Sequence, residues 1–268
     1  MQKNQYVLIT GATSGIGYEL AKLFAADGWH LIIVARSSKD LIDTREELVR
    51  NNDVDVISIS KDLFIPGNAT ELYNEISQKG IEVEVLVNDA GQGVYGEFVD
   101  TELDRELNII RLNIESLVVL TKHCLKEMVS RGHGRILNVS SIATTTPGPL
   151  QSVYHGTKAF VQSFTAAIRD EVKDKGVVVT ALLPGVTDTD FFRKAGMLQS
   201  KAVQDKDKMA DPADVAKDGY NALMNDEDKV VSGTKNKIQA AMSNLTPDST
   251  LAAKVHKQQA PVDPHTGK

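Results

Sequence analysis

The chain has 268 residues, 41% of them hydrophobic, and a formal net charge of −6 at pH 7. That length suits one α/β domain with a substantial core, and the acidic excess argues against a nucleic-acid binder working through a broad basic surface. No run of about eighteen apolar residues marks a membrane span.

Residues 1–5 lead directly into a strand pattern, without a signal-peptide apolar region. Cys124 is the only cysteine, so no intrachain disulfide forms and a reducing cytoplasm is the expected location. The six histidines are scattered without ligand spacing, and no metal is expected.

Residues 6–10 (YVLIT) form a short β-branched run, read as a buried strand. It enters Gly11-Ala12-Thr13-Ser14-Gly15-Ile16-Gly17, followed by a helical stripe of Ile16, Leu20, Leu23 and Phe24. A strand, a glycine turn and a helix let the backbone approach a pyrophosphate, and the helix N-terminus adds amide donors and partial positive charge. The spacing is Gly-x-x-x-Gly-x-Gly, unlike the Gly-x-Gly-x-x-Gly fingerprint. Residues 30–35 (HLIIVA) make a second strand. An acid at its end would read a ribose 2′-hydroxyl, but Ala35-Arg36-Ser37 stands there. An arginine pairs with a 2′-phosphate that an acid would repel, which favours NADP. Ser37 and Asp40 form a capping-box pattern for a helix to about residue 50.

Residues 55–60 are a third strand, with Asp62 and Leu63 just past its carboxyl end, where open α/β sheets bind ligands. A helix is expected over 66–79 and a fourth strand over 83–87, followed by Asn88-Asp89-Ala90-Gly91. The small Ala90-Gly91 pair permits close backbone approach. Thr101 and Asp104 suggest another capping box. From there Leu103, Leu107, Ile110, Ile114, Leu117, Cys124 and Met128 trace one long amphipathic helix to about residue 131, with Asn113 in its middle. A fifth strand ends at Ser140, with Ser141 following as the chain leaves the sheet. A Pro- and Gly-containing loop covers 144–150. A helix then opens at Tyr154-His155-Gly156-Thr157-Lys158 and runs to about residue 175. Tyr154 and Lys158 share a face one turn apart, so the cation is expected to lower the phenol's pKa. Alone, that spacing is common by chance.

Residues 177–183 form a sixth strand, ending in Pro184-Gly185-Val186-Thr187-Asp188-Thr189. Residues 191–208 have weak periodicity and read as a mobile lid or substrate loop, with Ala195, Gly196, Met197 and Leu198 as an apolar wall. Asp211-Pro212 starts a helix. A short seventh strand covers 229–231, and one more helix carries Ile238, Ala241, Met242 and Leu245. Residues 1–246 are read as one nucleotide-binding catalytic domain and 247–268 as a C-terminal extension. The last eight or so residues are expected to be disordered. The expected fold is a single doubly wound Rossmann-type α/β domain, with about seven parallel strands and helices on both faces.

Thr10-Gly11-x3-Gly15-x-Gly17, Asp62, Asn88-x-Ala90-Gly91, Asn113, Ser141, Tyr154-x3-Lys158 and Pro184-Gly185 fall in order. Over roughly residues 5–232 the sequence resembles an ordinary-length short-chain dehydrogenase/reductase, of an NADP-preferring carbonyl reductase subgroup. The resemblance implies a catalytic tetrad of Asn113, Ser141, Tyr154 and Lys158. Tyr154 would be the general acid or base, Ser141 the oxyanion partner, Lys158 a grip on the nicotinamide ribose, and Asn113 the holder of a relay water. Ser141 is chosen over Ser140 because the family's interval to the tyrosine is thirteen residues. The implied NADP (NADPH) contacts are Gly11, Thr13, Ser14, Gly15, Ile16, Gly17, Arg36, Asp62, Leu63, Asn88, Ala90, Gly91, Tyr154, Lys158, Pro184, Gly185, Thr187 and Thr189. Asn88 would also keep a structural role.

The implied activity is reduction of a ketone or aldehyde, a small-molecule substrate, in a homodimer or homotetramer with no nucleic-acid or membrane partner. Other readings are a cofactor-sensing regulator with reduced catalysis, a 3-oxoacyl-thioester reductase and a Rossmann methyltransferase. The last leaves Ser141, Tyr154 and Lys158 unexplained. The chain departs from the family pattern at Asp89, usually an asparagine, and in its C-terminal extension, which could replace contacts used by the family's tetramers.

Overall fold

A computed structural model describes residues 5–243 and 245–262. Seven strands form one sheet: β1 (Gln5–Thr10), β2 (His30–Ala35), β3 (Val56–Ser60), β4 (Glu82–Asn88), β5 (Gly134–Val139), β6 (Val177–Leu183) and β7 (Lys229–Val231). Their order is β3-β2-β1-β4-β5-β6-β7, and every pairing is parallel. The central strands β1, β2 and β6 read as nearly continuous apolar runs because helices cover both faces of the sheet, whereas the edge strand β3 (VISIS) does not.

Alternate strand residues feed two cores. Val7, Ile9, Leu31, Ile33, Val85 and Val87 pack with α1 (Gly15–Ala26), α2 (Ser38–Asn51) and α8 (Pro212–Met224). Leu8, Ile32, Val34, Leu86, Ile136 and Val179 face α3 (Asn68–Gln78), α5 (Ser116–Arg131) and α6 (Ser152–Val172). Phe24 of α1 is fully buried and meets Tyr220 of α8 edge-on, with centroids 4.9 Å apart. The doubly wound α/β class read from the sequence is therefore the observed architecture.

The strand order reverses between β2 and β4 on either side of β1, which opens a crevice at their carboxyl ends. The register sets Thr10 opposite Asn88, and Asn88 opposite Asn138. Three polar side chains thus line up at the floor of that crevice.

Helix starts follow local chemistry. The Ser37 hydroxyl accepts from Asp40 N at 3.2 Å, and the Asp211 carboxylate accepts from Ala213 N at 2.8 Å, just before Pro212. The capping box expected at Thr101 does not form. α4 (Leu103–Ile110) starts after Glu102, and the Thr101 hydroxyl donates to Phe98 O at 3.2 Å within the preceding turn.

The long helix is also not one α-helix. A π turn (Arg111–Glu115) separates α4 from α5. The extra residue in that turn rephases the apolar stripe. Leu117, Leu120, Cys124 and Met128 are buried, whereas Leu103 is 66% exposed and Leu107 and Ile110 are 37% exposed.

Residues 191–209 are more ordered than the lid expected from sequence. α7 (Phe191–Ala195) and two 3-10 turns pack around a small core of Ala195, Met197 and Val203 with Tyr95, Phe191 and Phe192. α9 (Thr234–Ser243) follows β7. α10 (Asp248–Gln259) is a helix that the sequence pattern does not announce. It buries Leu251 and Val255, and the chain beyond it bridges back, with Val262 N donating to Gln199 O at 2.8 Å. Residues 261–262 are thus paired, and the rest of the expected disordered tail lies outside the described residues.

Candidate active site

A cavity of about 990 Å³ opens at the carboxyl ends of β1, β4, β5 and β6. The elements around it set its chemistry. Gly11 and Gly15 turn the β1–α1 loop at φ +75° and +57°, a region open to glycine without strain. A Cβ at Gly17 would stand 2.5 Å from Asp89 Oδ2 and 2.6 Å from Gly11 O, and one at Gly15 would stand 2.9 Å from Thr189 Cγ2. The turn is therefore pressed against both β4's end and the loop after β6. Ser14, Gly15 and Ile16 line the cavity at the N-terminus of α1, where amide donors and the helix dipole suit an anion. This cradle fits a dinucleotide's phosphates.

A polar ladder lies below. Asn88 Nδ2 donates to Thr121 Oγ1 at 3.0 Å and to Asn138 Oδ1 at 2.9 Å, and Asn138 Nδ2 donates to Thr165 Oγ1 at 3.0 Å. Thr10 Oγ1 accepts from the amides of Asp89 and Ala90 at 3.2 and 3.1 Å. These buried bonds tie β1, β4, β5 and α6 together, so Asn88 acts here through structure.

Ser141 stands where β5 leaves the sheet. Its hydroxyl accepts from Ala143 N at 3.1 Å and lines the same cavity as the Tyr154 phenol. Ser140 is turned away, donating to Lys158 O at 2.8 Å. Lys158 Nζ is buried, donates to Val139 O at 2.8 Å and lies 5.9 Å from the Tyr154 ring centroid. Asn113 sits in the π turn, donating to Gln92 O at 2.9 Å and Thr157 Oγ1 at 3.0 Å and accepting from Gln92 N at 3.0 Å. Gly91 keeps a gap between them: a Cβ there would stand 3.3 Å from Lys158 Nζ and 3.5 Å from Asn113 Oδ1.

The electrostatics correct one expectation. Burial pushes the Tyr154 phenol up to about 12, the Ser141 hydroxyl opposes that rise, and the Asp89 charge adds to it. The lysine, 5.9 Å from the ring centroid, does not bring the phenol toward neutrality. Burial pushes the Lys158 ammonium below its ordinary range while Asp89 holds it up. Burial likewise raises the Asp89 carboxyl, with Lys158 and the Gly17 amide opposing. The chain by itself presents Tyr154 as a protonated phenol, the form that a general acid requires.

Of the residues singled out from sequence, Gly11, Ser14, Gly15, Ile16, Ala90, Gly91, Ser141, Tyr154, Lys158, Pro184, Gly185, Thr187 and Thr189 line this one cavity. Gly17 and Asn88 support it from below. Thr13 lies in the same turn without lining the cavity. Arg36 is exposed, and its guanidinium stacks 5.0 Å from the Phe64 ring at the far end of β2. Asp62 Oδ1 accepts from Phe64 N at 3.0 Å beside it. The Leu63 side chain is buried in the core, so only its backbone faces outward.

The sequence profile of the short chain dehydrogenase family matches residues 5–198. The chain belongs to the short-chain dehydrogenase/reductase family. Members are oxidoreductases that use a nicotinamide cofactor and act on CH–OH groups. Among curated relatives, mouse dehydrogenase/reductase SDR family member 7B is 32% identical over 232 residues, covering 82% of this chain and 71% of its own. A very-long-chain 3-oxoacyl-CoA reductase from Laccaria bicolor is 33% identical, covering 68% of this chain and 54% of its own. The chain thus spans between about half and three quarters of these relatives' lengths. A short-chain dehydrogenase from Sphingobium yanoikuyae, solved in complex with NADPH, superposes with a TM-score of 0.79 at 26% identity, covering 90% of this chain and 94% of that one.

Within this short-chain dehydrogenase/reductase frame, two cavity residues, Val255 and Gln259, carry no signal in the sequence pattern. Gln151, His155, Phe191 and Phe192 also line the cavity, the last two from the segment read as a substrate loop. Of the apolar wall expected at 195–198, Met197 lines it, Ala195 is buried in the small core, and Leu198 points outward at 61% exposure. Gln259 could not have been found by pattern, because it lies in a polar tail whose helix has a weakly apolar face. Among the described residues, Glu82, Glu84 and His133 bring ligand atoms together on the surface. The Arg131 guanidinium, 3.4 Å from Glu82 and 4.0 Å from Glu84, already supplies their positive charge.

Proposed function

We propose that this protein is an NADPH-dependent reductase of a ketone or aldehyde, working through Asn113, Ser141, Tyr154 and Lys158. The observation that carries this reading is a half-buried Tyr154 set with Ser141 and Lys158 in the cavity that also holds the glycine turn. The cofactor, when bound, supplies the hydride. The chain's own part is to place the carbonyl oxygen between the Ser141 hydroxyl and the Tyr154 phenol. Ser141 stabilises the growing negative charge, and Tyr154 delivers the proton. Lys158, facing the same gap as Asn113 at Gly91, grips the ribose and receives protons through the Asn113 side.

NADP is preferred over NAD on this reading because Arg36 is exposed, held flat by Phe64, and has no carboxylate partner among the described residues. A homodimer is supported by the exposed Leu103, Leu107 and Ile110 on α4 beside Phe160 on α6. Replacing Tyr154 by Phe is expected to reduce turnover by about 10²–10⁴-fold, with NADPH affinity retained. Wild-type turnover in that variant would end the assignment.

A second reading, a 3-oxoacyl-thioester reductase, is supported by Lys194, Lys201, Lys208, Lys235 and Lys257 around the cavity, which suit a polyanionic carrier. It is tested by comparing acetoacetyl-CoA with ethyl 3-oxobutanoate at rising salt. Only a CoA preference that weakens with salt supports this reading.

A further inference from the structure

Two buried carboxamides in the cavity wall keep unspent hydrogen-bonding capacity. Gln151 and Gln259 are only 5% and 8% exposed, and both line the cavity that holds Tyr154 and Ser141. Gln151 Nε2 and Gln259 Oε1 have no hydrogen-bond partner among the described residues. A buried donor and a buried acceptor left unpaired are costly, and together they are complementary to a group that both accepts and donates.

The orientation of Gln259 is fixed by a short relay. His155 Nδ1 faces the carbonyl of Thr146 at 2.9 Å, so that nitrogen carries the proton and donates. Burial lowers the pKa of His155, which keeps the ring neutral and leaves Nε2 as an acceptor. Gln259 Nε2 lies 3.4 Å from it and is the donor of the pair. The amide oxygen of Gln259 is then the end turned away from His155. The ring is itself clamped, because a Cβ on Gly148 would stand 2.1 Å from it. The main chain of Gln259 is pinned too, its carbonyl accepting from Tyr95 Oη at 2.5 Å and Ser200 Oγ at 2.9 Å. Gln151 is one turn away on the same wall, with its carbonyl accepting from His155 N at 3.0 Å. Its amide nitrogen approaches Gly93, where an added Cβ would stand 3.2 Å from it, 2.9 Å from Phe191 and 3.5 Å from Tyr154.

We infer that Gln151 and Gln259 form a second recognition point for the substrate, reading a secondary amide (or a group of the same donor–acceptor chemistry, such as a hydroxyl) attached to the carbonyl compound. The Gln151 amide donates to its oxygen, and the Gln259 oxygen accepts its N–H. The inference deepens the carbonyl reductase reading and rests on it. It also gives α10 a purpose, since this helix carries one half of the specificity pair into the cavity.

The test uses the N-benzyl amides of 3-oxobutanoic, 4-oxopentanoic and 5-oxohexanoic acids, each against the benzyl ester of the same acid, with 6-phenylhexan-2-one as the ketone lacking both groups. NADPH consumption gives kcat/KM for each. At one or more of the three spacings, the wild type is expected to favour amide over ester by about tenfold or more, the scale set by an unpaired buried acceptor. Gln259→Leu should abolish that ratio. Gln151→Leu should lower amide and ester together, relative to 6-phenylhexan-2-one, by a similar factor. The Gln151 arm stands on its own where Gln259→Leu fails to fold. An amide-to-ester ratio near one in the wild type, or one unchanged by Gln259→Leu at every spacing, overturns the inference, as does an ester-to-ketone ratio unmoved by Gln151→Leu. Absence of NADPH consumption with all seven compounds would instead overturn the reductase reading itself.

Discussion

The two ends of the cavity are built in opposite ways. At the β1–α1 end the wall is backbone, pressed so close that Gly15 and Gly17 have no room for a Cβ. At the far end the wall is side chain, supplied by α7 and α10 and joined by bonds across long stretches of sequence, such as Tyr95 to Gln259. A backbone wall serves a ligand whose shape never changes. A side-chain wall can be rewritten one residue at a time without disturbing the sheet. The contrast teaches where tolerance ends: substitutions at the first end should act through space and charge, and those at the second through selectivity.

The sharpest way to break the contrast is Gly17→Ala. The added methyl would meet both the Asp89 carboxylate and the Gly11 carbonyl, the latter being backbone that cannot swing aside. We expect cofactor affinity to fall by at least about tenfold and stability by about 1–3 kcal/mol, the range for overpacking, measured by NADPH titration and thermal melting. Arg36→Asp comes next. Placing an acid where the guanidinium stands should reverse the ratio of kcat/KM for NADPH over NADH by about tenfold or more, and an unaltered ratio would show that Arg36 reads no phosphate.

Asp89→Asn acts more gently, through charge alone. The Asp89 charge raises the Tyr154 phenol, so its removal lets that group ionise at lower pH. On the proposed mechanism alcohol oxidation needs the ionised phenol as base, and its rising limb should therefore move to lower pH. The same change takes away the charge that holds the Lys158 ammonium up, so a limb that depends on protonated lysine should also end at lower pH. A pH–rate profile superposable on the wild type would show that Asp89 does not reach the phenol. The smallest effect is expected at Gly156. It lies inside α6, and a Cβ there meets nothing within 4 Å. Gly156→Ala should stabilise the protein by about 0.5–1 kcal/mol with turnover intact, marking that not every glycine near the site is required.

The same contrast explains what the sequence could and could not disclose. Strands β1, β2 and β6 were legible because burial on both faces leaves nearly continuous apolar runs, and β3, β4, β5 and β7 because short β-branched runs stand between turn residues. Glycine turns and the Tyr154–Lys158 spacing were legible because local geometry demands particular residues at fixed intervals. The π turn was not, because the apolar stripe on either side of it is helical, and only the exposure of Leu103, Leu107 and Ile110 reveals the change of phase. Nor was the influence of Asp89 on Lys158, since that charge stands just past the end of β4, far in sequence from α6. α10 hid in a polar tail because its buried residues, Leu251, Val255 and Gln259, follow the helical period but include only two apolar side chains.

The π turn at Arg111–Glu115 has a consequence beyond helix geometry. One inserted residue does two jobs at once: it sets Asn113 against Gln92 and Thr157 beside the gap at Gly91, and it swings the apolar stripe of α4 out to the surface. Deleting a single residue there would undo both together. The placement of Asn113 and the exposure of that helix face are therefore mechanically linked in this chain, so neither can be altered by itself at that point.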